Sequence, residues 1–509
     1  MLRSTRVVVL LGVAVQIVAF LRTAIIAATL GTSPDVDAYN LGLIAPGFIS
    51  TVVGAWLQMS FIGRYASLIA THETDLAASY RSRMLVLVTA SAVLFAGLCY
   101  IVPEPIMKLF LPHGQGAMVS ASAEALKLSG LTLIPIVIGD FLGLVLNGHG
   151  RFFAAALAPL ANAVVSVLGL RLWPSPDLTA LLLTLLAGSL AQGLVIVAAL
   201  LRTRLTFPLQ TRAAAADVRT TLALALPLLP AMMLSNSVAA IIQFRAAQIG
   251  EGAVATYGYA SRLHGAMAQV LVMGLSTVLL PHLAALWSRG EKAQITILFR
   301  RLARCTLIVV AYVTVGIWLM GDTATKVLFQ RGAFAAQHTE QVARLWLILS
   351  LSLFPLAFGT FIAKFCQALR GAGSILASGV ISFAATWIMT WLGASTGNLE
   401  VVTSAIAVSM LASTCFWLFW LSGHVDIVPI LGDIGNASLR AALILLPAIA
   451  VERALSLSAA GLPDILDLLL RGLSFTLVAL LLSILTQSHQ WFLSVPSGDI
   501  PQVQPKMNS

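Results

Sequence analysis

"ATLGTSPDVDAYN" occupies residues 28–40, and "AQIGEGAVATYGY" occupies residues 247–259, 219 positions later. "LFLPHG" (109–114) is echoed by "LFQRGA" (328–333) at the same offset, and "PIVIGDFLG" (135–143) by "PLAFGTFIA" (355–363) at 220. Each match alone is weak. Three at one spacing point to an internal duplication, and a missed repeat would misassign the whole fold.

The duplicated material is built for a bilayer. Hydrophobic residues make up 59% of the 509 positions and charged residues 10%, with a mean hydropathy of +0.94. So few charges cannot clothe a soluble protein of this size. Apolar runs near 20 residues, enough for a helix to cross the hydrocarbon core, recur throughout. Breaking them at polar, glycine or proline clusters gives fourteen spans: 7–30, 38–66, 85–103, 124–146, 152–172, 180–201, 220–248, 255–286, 305–321, 342–368, 375–394, 401–422, 438–452 and 465–486. The first run is too long for a secretory signal and reads as a retained span.

The expected fold is therefore an all-α integral membrane protein of about 14 transmembrane helices. Two six-helix lobes, 1–205 and 215–424, are followed by two extra spans in 438–487 and a cytoplasmic tail, 488–509. A six-span repeat leaves both lobes in parallel topology around a central cavity, an arrangement that alternates access by rocking one lobe against the other. Eighteen of the thirty Lys and Arg residues fall on one side of this arrangement and seven on the other. The positive-inside rule then places both termini in the cytoplasm. The net charge of +10 suits an anionic leaflet and requires no nucleic acid.

Charged residues inside spans are the costly ones. Arg22 lies some eight residues from the nearer end of its span, about 12 Å of helix. An arginine at such depth costs about 2.5–3.5 kcal/mol on insertion scales, so it should face water, a partner or a substrate. Arg262, in "YASRLHG", enters the eighth span two turns from its start. Arg245 and Lys364 lie near span ends, within reach of the interface, and Arg471 has Asp467 one turn earlier. Among the acids, Asp37 stands where it could cap the second span. Asp140, beside Gly139 and well inside the fourth span, has no base one turn away. It should pair across helices, bind a cation or keep a proton.

The chemistry these residues suggest is anion transport. Arginine recognises phosphate through paired hydrogen bonds, and one buried arginine comes from each lobe. No phosphate loop, metal-ligand spacing or catalytic cluster is visible, and the four cysteines are scattered among apolar runs. Neither an enzyme nor a bound cofactor or metal is expected.

"FLRTAIIAATLGTSPDVDAY", "YASRLHGAMAQVLVMGLSTVLLPHLAAL" and "LFQRGAFAAQHTEQVARL" resemble the MurJ (MviN) family of lipid II flippases, over roughly residues 5–375. That resemblance implies a two-lobed alternating-access carrier in the bacterial inner membrane. Its partner would be an undecaprenyl-pyrophosphate-linked saccharide, moved from inner to outer leaflet for peptidoglycan synthesis alongside envelope-biosynthesis enzymes. It further implies that cavity arginines bind pyrophosphate, that the last two helices hold the polyprenyl tail, and that membrane potential or an ion gradient drives transport. Arg22 matches the arginine of the family's "GFxRD" stretch, Asp37 the acid of "ADAF", and Arg262 the arginine of "YADRL". The family pattern has arginine where this chain has Gln16, and basic residues where it has Ser50 and Thr51. Arg22 and Arg262 are thus the expected pyrophosphate ligands, with Asp37, Asp140, Gln16 and Lys364 as cavity or coupling residues. A flippase for another polyprenyl-linked envelope unit fits the reduced arginine set. A cation-coupled small-molecule exporter using Asp140 is the alternative from a different class.

Overall fold

The computed structural model describes residues 2–111, 116–203, 205–208, 212–226, 229–369, 372–458 and 462–488. The expected tail lies outside them from residue 489 on. Among the described residues there are eighteen α-helices. The first eight are α1 (Leu2–Leu30), α2 (Pro34–Ala70), α3 (Thr74–Ile101), α4 (Pro103–Phe110), α5 (Gly116–Gly130), α6 (Leu133–Gly148), α7 (Phe152–Leu172) and α8 (Leu178–Leu201). A short α9 (Arg212–Ala225) leads into α10 (Leu229–Ala246), α11 (Ala253–Ser288), α12 (Lys292–Phe329), α13 (Ala336–Ser350), α14 (Leu353–Ala368), α15 (Ala372–Ser395) and α16 (Leu399–Ser422). The chain closes with α17 (Val428–Ser458) and α18 (Asp464–Leu485).

The repeat seen in short motifs extends to whole helices. α2 and α11 begin 219 residues apart, at Pro34 and Ala253, and α3 and α12 begin 218 apart. α5, α6 and α7 are followed 220 residues later by the starts of α13, α14 and α15, and α8 is followed at 221 by α16. Even the breaks recur. The expected spans 124–146 and 342–368 are each interrupted, at residues 131–132 and 351–352, before helices whose third residue is Pro135 or Pro355. A proline supplies no N–H, so it is tolerated in a helix's first turn and favours a restart there.

Twelve helical stretches among the described residues are long and apolar enough to cross a membrane, with α5–α6 and α13–α14 each forming one. The two further expected spans, 220–248 and 255–286, include positions outside the description (227–228, with Pro227, and the side chains of 272–282). Bilayer lipid gives helices no hydrophobic reason to associate, so close contact depends on small residues. α7 and α8 meet where Gly188 faces Ser166 and Gly169 faces Thr184. A Cβ on Gly42 would lie 2.4 Å from that of Ala125, so α2 and α5 touch there nearly backbone to backbone.

Contacts divide the chain into two compact units, one of residues 1–280 and 321–417, the other of 281–320 and 418–509. In the first, Phe61 packs against Tyr65, Tyr80 and Phe141 with ring centroids 4.9, 5.4 and 4.9 Å away. In the second, α17 and α18 pack on residues 292–320 of α12. Arg471 joins all three, binding Glu452 of α17 (Nε to Oε1, 2.6 Å), Asp467 one turn earlier (3.1 Å) and the carbonyl of Leu319 (3.0 Å). The expected Arg471–Asp467 pair is thus one arm of a three-way tie. Glu452 is the partner that spacing along α18 could not disclose.

Candidate transport site

Arg22 and Arg262 come together in the first unit at matching depth. Arg22 is eight residues from the end of α1, and Arg262 nine from the start of α11, about 12 and 13 Å along their helices. Between them stands Tyr39 of α2, itself buried. Arg22 donates from Nη2 to its hydroxyl (2.7 Å), and the guanidinium carbon lies 5.5 Å from the ring centroid. That is Arg22's one hydrogen bond among the described residues; its Nε is buried with no partner.

Arg262 is the barer of the two. Among the described residues it makes no hydrogen bond or ion pair, and its side chain is accessible. Arg22 is the charged group that acts on it, Tyr39 and Tyr259 line the adjoining space as neutral hydroxyls, and no acid pairs with it among the described residues. Arg262 forms part of the wall of a cavity. The cavity measures about 340 Å³ and is lined by Arg262, Ser261, Asn40, Thr51, Asn236 and Gln243 among others. Its walls mix amide and hydroxyl groups and one cation with the apolar side chains of Leu43, Ile44, Phe48, Ala239 and Ala240. Thr51 occupies this wall, so the position where the related pattern carries a basic residue does face the cavity.

Gln16 donates its amide to Gln269 (2.5 Å). Gln269 lies seven residues after Arg262, two turns along the same face of α11. The pair therefore bridges α1 and α11 on the side of Arg262 away from the start of α11. Lys364 lies elsewhere: it is half-buried, reaches Gln367 on its own helix (3.4 Å) and does not line the cavity. Arg245, expected near an interface, hydrogen-bonds Gln248 and stacks over Trp387 at 5.0 Å.

Asp37 is not on the cavity wall. It is 1% exposed, and its two oxygens each accept a 2.6 Å hydrogen bond, from the N–H groups of Gly252 and Ala255. The capping role foreseen for it is real but serves α11, 215 residues away, and not its own helix. Helix starts leave N–H groups unpaired and carry partial positive charge, so a buried carboxylate there satisfies both. Around this cap the two repeats are clasped. Tyr259 donates to the Gly31 carbonyl (2.6 Å), the Ala333 N–H to the Ala28 carbonyl (2.8 Å), and Thr32 meets His338 (3.1 Å).

Asp140, midway along α6, is accessible and paired across helices: Gln192 of α8 donates to its Oδ1 at 3.4 Å. Tyr39, Asn40, Asn236, Gln243 and Gln192 were not anticipated. Asn236 and Gln243, seven apart in an apolar helix, carried the available signal, since that spacing puts both on one face.

Helices without strands among the described residues, a duplicated bundle and a cationic cavity define a polytopic membrane carrier. A family model described as lipid II flippase MurJ matches residues 26–460. The chain belongs to that family. A protein of Rhizobium meliloti (strain 1021) named probable lipid II flippase MurJ is 25% identical over 422 residues, covering 78% of this chain and 77% of that one. Among solved structures, a lipid II flippase MurJ in an inward closed conformation aligns over 95% of this chain and 100% of its own, with TM-score 0.76 and 17% identity. An inward-facing MATE family multidrug transporter of the MOP superfamily aligns over 83% and 95%, with TM-score 0.66 and 16% identity.

Proposed function

We propose that this protein carries lipid II, or a closely similar undecaprenyl-pyrophosphate-linked saccharide, from the inner to the outer leaflet of the bacterial inner membrane, and that Arg22 and Arg262 hold the pyrophosphate. The observation that carries this reading is the pair of arginines. They converge beside Tyr39 with no acid to neutralise them, inside a chain whose family is defined by this cargo. A pyrophosphate supplies the missing negative charge and the acceptors for two guanidinium forks. The amide and hydroxyl groups among the wall residues suit the sugar. In the second unit, an apolar groove of about 210 Å³ lined by Ile308, Tyr312, Ile444, Leu445, Ala479 and Leu480 suits a polyprenyl chain.

Transport proceeds by alternating access, the lobes 1–205 and 215–424 moving against one another under the membrane potential or an ion gradient, with both termini in the cytoplasm. The cargo is handed on to cell-envelope biosynthesis enzymes. A second reading, a sibling cargo, has one observation behind it: Thr51 lines the cavity at a position where the MurJ-like pattern has a basic residue. Any cargo of this class retains the pyrophosphate and changes the sugar. Arg22→Ala and Arg262→Ala should each abolish translocation with the protein still inserted at wild-type level. Normal translocation by both variants would refute the site.

A further inference from the structure

We propose that Asn236 and Gln243 of α10 are specificity-determining residues that select the saccharide of the cargo, accepting hydrogen bonds from its hydroxyl and amide N–H groups; this rests on the transport reading above. Both line the cavity that holds Arg262. Asn236 Nδ2 donates to the Met232 carbonyl (2.8 Å), and Gln243 Nε2 to the Ala239 carbonyl (3.5 Å). A carbonyl can only accept, so each amide turns its nitrogen toward its own helix. The oxygens, Asn236 Oδ1 and Gln243 Oε1, accept no hydrogen bond among the described residues. Acceptors are therefore what the two amides offer a ligand.

Neither residue serves to join helices. Polar side chains in membrane spans commonly hydrogen-bond to a neighbouring helix, whereas these two bond only within α10 among the described residues. On α10, Ala231, Val238, Ile242 and Ala246 are buried, while both amides stay accessible. The duplication does not supply them either. The positions 219 residues earlier are Ile17 and Ala24, so one repeat alone carries the amides, and it carries them on a cavity wall.

Their placement fits a ligand that starts at an anion and extends from it. Counted from the connection between α10 and α11, Arg262 and Asn236 lie about 13 and 15 Å along their helices, and Gln243 about 5 Å. Asn236 is thus at a depth similar to that of Arg262, with Gln243 farther along the same wall. Asn40, across the cavity on α2, also makes no side-chain hydrogen bond among the described residues. Amide oxygens would attract a cation as well, but Arg22 and Arg262, with no acid beside them, oppose one. A neutral saccharide joined to a pyrophosphate satisfies both halves of the site, its anion pairing with guanidinium and its donors with the amides. The same lipid stripped of its sugar brings no donor to these acceptors and should compete poorly for the site.

Binding of lipid II and of undecaprenyl pyrophosphate to the full-length protein in nanodiscs separates the two halves. Wild type should prefer lipid II by roughly tenfold or more, the effect of two added hydrogen bonds. Asn236→Leu and Gln243→Leu combined, which keep side-chain size and leave the span apolar, should lose that preference by weakening lipid II alone. Arg262→Ala should weaken both lipids alike. No preference in wild type, a preference kept by the double variant, or an equal loss of both lipids in it would overturn the inference. In each of those cases, weakening by Arg262→Ala would still uphold the pyrophosphate site. Binding of neither lipid by wild type would overturn the transport reading, and this inference with it.

Discussion

Arg22 and Arg262 were legible as single residues because burying a guanidinium is expensive whatever the fold. Their meeting was not legible, since 240 positions separate them and nothing local encodes the approach of α1 to α11. Tyr39 escaped notice for the opposite reason. A tyrosine in an apolar span looks like any amphipathic aromatic until its hydroxyl is seen to accept a hydrogen bond from Arg22 Nη2 at 2.7 Å. Tyr39→Phe keeps the ring and removes that acceptor. A hydrogen bond to a charged group contributes about 1.5–3 kcal/mol, so cargo binding should weaken roughly tenfold or more, read as a higher half-saturating lipid II concentration with the maximal rate less affected. Arg262→Lys should retain some activity and Arg262→Ala none, because a lysine keeps the charge but loses the paired donors. Equal activity of the two variants would show that charge at this position does not matter.

At the scale of elements, the clasp between the repeats is built on backbone. Asp37 neutralises the start of α11, and Gly332 lets its loop reach Ala28. A Cβ on Gly332 would stand 2.1 Å from the Ala28 carbonyl oxygen, and the residue's φ of +59° favours glycine independently. Gly332→Val should therefore lower the melting temperature in detergent, by an amount corresponding to about 1–3 kcal/mol from backbone strain alone. Asp37→Ala leaves two buried N–H groups without acceptors, at a cost of about 1–3 kcal/mol each. Asp37→Asn, which keeps one acceptor, should fall between it and wild type in the same thermal assay. Equal melting temperatures for all three would remove the cap. Helix existence and the proline breaks could be read from sequence because hydropathy and missing N–H groups are local properties. The clasp could not: an aspartate three residues past a proline signals a cap, yet its spacing says nothing about which helix receives it.

For the whole molecule, the duplication was visible in three short echoes and holds across helix starts from α2 to α16. Contact-based units cut across that symmetry, joining α17 and α18 with part of α12 through the Arg471 tie. Glu452 and Arg471 are both buried there. Removing one member of a buried pair typically costs about 3–5 kcal/mol, so Glu452→Ala should strongly destabilise the protein in detergent; an unchanged melting temperature would show that the tie is dispensable. The proposed orientation has its own check, with Cys99, Cys305, Cys366 and Cys415 replaced by Ala. A membrane-impermeant thiol reagent should then label Glu104→Cys in intact spheroplasts and leave Arg202→Cys unlabelled until the membrane is opened. The reverse pattern would invert the topology.

The most direct measurement depletes the resident lipid II flippase of a bacterial host and supplies this protein as the sole replacement, reading external accessibility of lipid II for wild type, Arg22→Ala and Arg262→Ala at matched membrane levels. The account predicts that wild type restores external lipid II and that neither variant does. Restoration by both variants would contradict the arginine site. Failure of correctly inserted wild type would contradict lipid II as the cargo and direct attention to the polyprenyl-linked saccharide left on the inner leaflet.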